Sequence, residues 1–296
     1  MPTLRDIRRR ITAVSNTAKI TQAMRMVSAA KMRRAQEAIW SARPYVQKLS
    51  DVLSNLVASV GEEYSNPLIQ KHKSVNSIAV VVVTSDRGLC GSFNTNLFRI
   101  ANNFIHNEIP KEYPDADISV IAVGKRACSF FKRQNVNVIR EYPGIFQKLD
   151  FSTAKEIVGM VSDGFINNKF DKVIVFFNEF KNLISQVPTN ITLLPIEQPR
   201  KDEKAEEKYK LDYIFEPQQK EILDELLPKH LDIQMWRALL ESNAAEQAAR
   251  MMAMENATNN AHDLIKYLEL VFNKARQAAI TKEMLEIVSG AEALKK

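Results

Sequence analysis

The chain has 296 residues, 45% of them hydrophobic and 26% charged, with a formal net charge of +6, a composition that fits a folded protein rather than a disordered one. Its longest apolar run, Ile78 to Val83, is strand-sized and far short of the ~20 residues that span a bilayer. Cys90 and Cys128 are too few for a disulfide framework and lack the spacing of a metal site, so they read as two inert thiols in a reducing compartment.

Glycine is absent from residues 1 to 60 and again from 165 to 289. Because glycine costs a helix interior about 1 kcal/mol and proline about 3, such runs suit long helices, and within the stretches read as helix only Pro44 and Pro228 intrude on the interior. The first run, 1–60, carries Leu4, Ile7, Ile11, Val14 and Ala18 at the alternating three-and-four spacing of a heptad seam. Residues 1 to 40 hold nine Lys or Arg against Asp6 and Glu37. An amphipathic, arginine-rich, acid-poor N-terminus is also how a mitochondrial transit peptide reads. The seam runs through it unbroken and no cleavage-like boundary follows, so the basic helix is expected to remain in the mature protein. Arg25, Lys31, Arg33 and Arg34 read either as a solvated basic face or as a surface for an acidic protein partner.

The pattern changes at Ser77, where Ser-Ile-Ala-Val-Val-Val-Val-Thr forms a β-branched run suited to a strand buried on both faces. Further strand candidates lie at Ile118 to Val123, Lys172 to Phe177 and, shorter, Ile191 to Leu194. Helical patterns at Thr95 to Glu108, Lys125 to Gln134 and Ser152 to Asn167 alternate with them. The fold class is therefore an α/β body at 61–216, Rossmann-like with a mostly parallel sheet. The loop Thr84-Ser-Asp-Arg-Gly-Leu-Cys-Gly-Ser-Phe-Asn94 follows the first strand, where such folds bind phosphate. A P-loop needs lysine and a hydroxyl after its last glycine, and here Ser92 and Phe93 stand there; Gly88 and Gly91 do not match a dinucleotide fingerprint. The loop reads as a structural turn, with a ligand site as the alternative. His72, His106, His230 and His262 are scattered, and none adjoins a plausible nucleophile.

Residues 198–213 mix both charge signs with few large apolar groups and read as a solvated connector, after which Pro217 suits the first turn of a final helix over 217–296. That helix repeats the seam at Leu264, Leu268, Val271, Ala275 and Ala278, widened by Ile265 and Phe272. One helix enters the body and the other leaves it, so their pairing is an antiparallel two-helix coiled coil. At 1.5 Å per residue the first helix is roughly 80 Å long and the second roughly 115 Å, so the second overhangs by about 30 Å. The overhang, Lys274 to Lys296, carries Ala275, Ala278, Ala279, Ile280, Met284, Leu285, Ile287 and Val288 around much of its circumference. Such a helix wants an enclosure, supplied by a partner gripping the tip; a frayed end or a fold-back onto the body are the alternatives. Met24, Met26, Met32, Met251, Met252 and Met254 offer adaptable contact surface or plain core filler.

Four separated segments carry a family resemblance: Lys19-Ile-Thr-Gln-Ala-Met-Arg-Met-Val-Ser-Ala-Ala-Lys-Met32, Ser85-Asp-Arg-Gly-Leu-Cys-Gly91, Glu246-Gln-Ala-Ala-Arg-Met-Met-Ala-Met254, and Asn273-Lys-Ala-Arg-Gln-Ala-Ala-Ile-Thr281 continuing through Lys-Glu-Met-Leu-Glu-Ile-Val-Ser-Gly-Ala291. Over nearly its whole length the chain resembles the γ subunits of F-type ATP synthases, the central rotor shafts. The resemblance implies a non-catalytic subunit, one copy per complex, that couples proton (or sodium) flow to ATP synthesis on a surrounding ring of α and β subunits. It implies contacts to the ε subunit and the membrane c-ring, no cofactor, no metal and no nucleic acid. Membrane association would be indirect, at the cytoplasmic face of a bacterial inner membrane. Carried over by position, Met24, Arg25 and Lys31 would meet the moving lever of a β subunit. Glu246, Gln247 and Arg250 would face a catch loop, and Arg276, Gln277, Thr281 and Glu283 would belong to an upper bearing.

The chain departs from the family pattern at Gln22, where relatives often carry lysine, and at Arg25, where some carry glutamate. Pro228 falls in the first turns of the final helix and predicts a kink or a restart near Lys229. No cysteine lies between Asn178 and Pro217, so the thiol control of plastid relatives is not expected. Two rival functions are weaker on the residues. A nucleic-acid clamp lacks aromatic residues on the basic helix before Trp40. A nucleotide-binding enzyme built on the central body lacks the phosphate-loop chemistry.

Overall fold

A computed structural model of the chain describes residues 3–60, 66–70, 72, 74–134, 136–196 and 218–293. The chain divides into two compact units, residues 30–249 and residues 1–29 with 250–296. The connector at 198–213 and Pro217 lie outside the described residues.

Helix α1 runs Leu4–Val60 and helix α6, the last, runs Gln219–Ala293. Both pass through an internal proline, Pro44 and Pro228. The restart expected near Lys229 does not occur. Pro228 is exposed, while Leu223, Leu227, Leu231 and Met235 recur at four-residue intervals along a stripe beside it and are each 1% exposed or less. Burying each such side chain contributes about 1.5–3 kcal/mol, which offsets the roughly 3 kcal/mol cost of the proline.

Between the long helices lie β1 (Ser77–Val83), α2 (Phe93–Asn103) running through a π-helical turn at Phe104–Glu108 into α3 (Ile109–Glu112), β2 (Asp117–Val123), α4 (Lys125–Phe131), β3 (Asn137–Tyr142), α5 (Phe151–Ile166), β4 (Lys172–Phe180) and β5 (Gln186–Leu194). The sheet order is β3-β2-β1-β4-β5. The first four strands are parallel and β5 closes the edge antiparallel to β4. This is the mostly parallel, Rossmann-like body expected, with two differences in detail. β3 was not foreseen, and β5 begins five residues earlier than the expected Ile191.

β1 shows why the sheet is central. Its alternate residues feed two cores: Ala79, Val81 and Val83 pack with α5 and the first turns of α6, while Ile78, Val80 and Val82 pack with α2, α3 and α4. All six are fully buried, as an unbroken β-branched run in a double-faced sheet requires. A third cluster joins Met32, Ala35 and Ile39 of α1 to Leu240, Ala244, Ala245 and Ala248 of α6, with Cys90 and Phe93 between. The alanines let the helix backbones approach closely. At the start of β4, Asp171 accepts from the Asn76 and Ser77 amides at 2.8 and 2.9 Å and pairs with His72. Burial alone would push the Asp171 carboxyl up, but these hydrogen bonds outweigh it and hold it below its ordinary value.

Gly124, just before α4, has φ +91°, and a Cβ there would sit 2.2 Å from the Thr84 carbonyl oxygen. Backbone meets backbone, so no side-chain rotation relieves the clash. Gly124→Ala is expected to destabilise the chain by about 2–4 kcal/mol, read as a lowered denaturant midpoint with unchanged slope; an unshifted midpoint would contradict the packing described at this turn.

Candidate functional site

Two places concentrate the features that sequence reasoning singled out: the loop after β1, and the paired ends of α1 and α6.

The loop lies where the strand order reverses around β1, the position at which open α/β sheets bind ligands. Its first residues are instead engaged by neighbouring segments of the chain. Thr84 donates its amide to Val123 O at 2.9 Å, and its hydroxyl accepts from the Ala127 amide at 2.8 Å. Asn94 Oδ1 accepts from the Ser85 amide at 3.1 Å, and Asn94 Nδ2 donates to Cys90 Sγ at 3.2 Å. Asp86 matters most. Its Oδ1 accepts from the amides of Lys125 at 3.0 Å and Gly144 at 2.8 Å, and its Oδ2 accepts from the Phe146 amide at 2.9 Å. A carboxylate of this loop thus gathers three amides from the turns that follow β2 and β3 and ties those turns to it. This tethering supports the structural-turn reading. Sequence reasoning missed Asp86, although an acidic residue three positions past a buried strand, with a Gly-Lys step opening the next βα turn, is a usable signal. Both cysteines are buried, and burial, helped by Glu141, pushes the Cys128 thiol up. Among the described residues no group of three or more His, Cys, Asp or Glu could hold a metal ion, and no helix is long and apolar enough to cross a membrane.

The unit formed by 1–29 and 250–296 is a two-helix seam. Arg8 lies over the Phe272 ring at 5.8 Å, the Thr21 and Thr258 hydroxyls meet at 2.7 Å, and Arg25 Nη1 reaches Glu255 Oε1 at 3.4 Å. As numbering rises along α1 it falls by nearly equal steps along α6, so the pairing is antiparallel and in steady register. The α1 line is Ile7, Ile11, Val14, Ala18, Thr21, Arg25 and Ser28, buried or half-buried throughout, at strict heptad spacing. On α6 the line is Met254, Thr258, Ala261, Ile265, Leu268, Phe272, Ala275 and Ala279. This corrects the expected seam: Leu264 is 37% exposed and Ala278 is exposed, so Ile265 and Ala279 carry those positions instead. Each threonine hydroxyl lies within reach of the other and of a carbonyl of its own helix, Ala18 O or Met254 O; with one proton apiece, one hydroxyl donates to the other, which donates to its own carbonyl, so both hydroxyls are satisfied within a thin seam.

The register runs out before α6 does. Extrapolated to Leu4, the partner position on α6 lies near residue 276, leaving about 17 described residues, roughly 25 Å, with no helix of this unit beside them. Ile280, Met284, Leu285, Ile287 and Val288 there are 50–71% exposed. An apolar surface so rimmed by Lys282, Glu283 and Glu286 marks a contact site. Arg276, Gln277, Thr281 and Glu283 are exposed on the same stretch, with the Thr281 hydroxyl donating to Gln277 O at 2.9 Å. Met24 and Arg25 are half-buried and Lys31 is exposed, with Met26 and Val27 beside them 58% and 56% exposed. Glu246, Gln247 and Arg250, by contrast, are 3%, 7% and 7% exposed.

The energetics of this seam reside in its apolar line. Both side chains of the Arg25–Glu255 pair are about two-fifths exposed, so Arg25→Ala should cost under about 1 kcal/mol. Leu268→Ala, at a 5% exposed position, should cost about 2–4 kcal/mol. Thermal or denaturant unfolding of the two variants checks this, and a reversed order would contradict it.

Comparison with known proteins gives a consistent result. The ATP synthase family model matches residues 3–294. The ATP synthase gamma chain of Chlorobium phaeobacteroides is 49% identical over 297 residues, covering all of both chains, and that of Chlorobaculum parvum is 48% identical over 295 residues with the same coverage. Among solved structures, the chain is similar to one from the Tetrahymena thermophila mitochondrial ATP synthase central stalk and c-ring, at TM-score 0.57 and 25% identity, over 80% of this chain and 99% of that one. A chain of the Euglena gracilis mitochondrial ATP synthase in rotational state 3 has the same fold, at TM-score 0.69 and 22% identity over 98% of this chain and 94% of that one.

Proposed function

This chain belongs to the ATP synthase gamma-chain family and is the central shaft of that complex, coupling ion flow to ATP synthesis; on that premise we propose how its surfaces carry the work. The bare apolar end of α6, left over when the α1 register runs out, is the observation that carries the proposal. It is sheathed by the α and β subunits, with Arg276, Gln277, Thr281 and Glu283 in the upper bearing. Met24, Arg25 and Lys31, next to exposed Met26 and Val27, meet the acidic lever of a β subunit. Glu246, Gln247 and Arg250 face a catch loop through the small part of their surface left open.

The chain itself is non-catalytic. Its contribution is mechanical: the seam is asymmetric in side chains, so each β subunit meets a different face at a given angle. A partner shifts a two-state equilibrium only by the difference in its interaction with the two states. Rotation changes that difference at each β subunit in turn. The ε subunit and the c-ring complete the rotor, one shaft per complex, and the assembly lies at the cytoplasmic face of the bacterial inner membrane with this chain attached indirectly. A nucleotide-binding role for the central body is not favoured, since the loop after β1 lacks the lysine and hydroxyl of a P-loop and the glycine spacing of a dinucleotide fingerprint.

Two outcomes are expected. A tagged chain should bring down α and β subunits in about threefold molar excess, and truncation after Lys274 should sharply reduce that recovery while the remaining chain keeps its cooperative unfolding. Undiminished recovery by the truncated chain would contradict the sheathed tip. Met24→Lys should leave hydrolysis in place but reduce ion pumping per ATP hydrolysed, measured in vesicles; an unchanged pumping ratio would contradict the lever contact.

A further inference from the structure

The seam between α1 and α6 leaves each helix two flanks, and the two differ in chemistry. On one flank α1 carries Arg8, Thr12, Ser15, Lys19 and Gln22, and α6 carries Glu255, Asn259, His262, Lys266 and Glu269. On the other, α1 carries Ala13, Thr17, Ile20, Met24 and Val27, and α6 carries Ala257, Asn260, Leu264, Tyr267 and Val271. Antiparallel helices present matching flanks on the same side of their contact. Arg8 over the Phe272 ring and Glu255 against Arg25 bear this out, since each reaches from the polar flank of its own helix to a seam residue of the other. The helix pair therefore has one polar side and one apolar side.

The apolar side is open. Ile20, Val27 and Tyr267 are 60%, 56% and 62% exposed. Ile20 and Val27 stand one heptad apart, as do Leu264 and Val271, so these groups form a strip along the pair rather than scattered surface residues. From Ala13 to Val27 the strip runs about 21 Å, four turns of helix. Its charged residues over 10–27 and 257–274 are Arg10 and Lys274, two cations toward one end, with no acidic residue between. A strip of this length and spacing between two helices fits a third, amphipathic helix, and the cations favour acidic side chains on its edge.

We propose that this apolar flank is the docking surface for an amphipathic, acid-edged helix of the lever of a β subunit. The proposal rests on the shaft reading and adds to it the face by which a β subunit is gripped. A lever on the apolar flank buries Ile20, Val27 and Tyr267, whereas a lever facing the polar flank meets groups already well hydrated. Turning the shaft exchanges one flank for the other, and that difference in interaction is what shifts a β subunit between its two states.

Photocrosslinking in the assembled complex tests this, with Tyr267→p-benzoylphenylalanine on the apolar flank, His262→p-benzoylphenylalanine on the polar flank, and mass spectrometry of the products. The expected result is a Tyr267 product on an acidic helix of a β subunit, at a yield at least about tenfold above that from His262 to the same helix. As a second measurement, Ile20→Ser with Tyr267→Ser should lower ion pumping per ATP hydrolysed by at least about fivefold, while Gln22→Ala with His262→Ala leaves it unchanged. Both double variants should unfold close to the denaturant midpoint of the unaltered chain, since neither changes a seam residue. Equal crosslinking from the two flanks, a Tyr267 product on any other subunit, or equal effects of the two double variants would each overturn the proposal. If the tagged, unaltered chain still brings down α and β subunits, the shaft reading survives that result; if it does not, both fall.

Discussion

The steady antiparallel register between α1 and α6 is the constraint on which the rest of the structure depends. A heptad line of Ile7, Ile11, Val14, Ala18, Thr21 and Ser28 can face only one line on the partner helix, and the contacts at Phe272, Thr258 and Glu255 fix which one. Small residues at the middle of the seam keep the pair thin, and the matched threonine hydroxyls let it be thin without stranding polar groups. Once that register is set, α6 must outlast α1. The exposed Ile280, Met284, Leu285, Ile287 and Val288 are then a consequence of helix lengths rather than a local accident. A surface of this kind is unfavourable in water and favourable inside a sheath. The chain is completed only by the subunits around it.

The central body has a different logic. Its parallel sheet is buried on both sides, and the position that comparable folds give to a ligand is held by Asp86 and by the Thr84, Ser85 and Asn94 hydrogen bonds. These bonds tie the turn to those that follow β2 and β3. Gly124 belongs to the same arrangement, since only a residue without Cβ lets the Thr84 carbonyl approach so closely.

Much of this was legible in the residues, because long glycine-free runs and a β-branched strand are strong periodic signals. α1, α6, β1, β2 and β4 follow directly from them. β3 did not, since Arg140 and Glu141 break its apolar alternation. It is an edge strand, and charge on an edge discourages pairing with another chain while hiding the strand from pattern reading. The α6 seam was legible only to within one position: Leu264, Ile265, Leu268, Val271, Phe272 and Ala275 form a face wide enough to hold two heptad lines, and only the partner helix chooses between them. Pro228 illustrates the opposite case, a strong local signal overridden by the buried leucines on either side of it along the helix. Asp86 left only the weak signal of an acidic residue just past a buried strand, because its role depends on Lys125, Gly144 and Phe146, brought near it only by the fold. The burial of Glu246, Gln247 and Arg250 is likewise a tertiary fact that a polar motif on a helix does not announce.

The most direct test of the account is cross-linking of the helix pair in the assembled complex. With Thr21→Cys and Thr258→Cys together, whose native hydroxyls are 2.7 Å apart, mild oxidation should form an intrachain disulfide rapidly and nearly completely, because the positions face each other within disulfide reach. Thr21→Cys with Glu283→Cys should form none. A disulfide in the second pair, or failure of the first, would contradict the antiparallel register and with it the exposed tip on which the shaft's engagement rests.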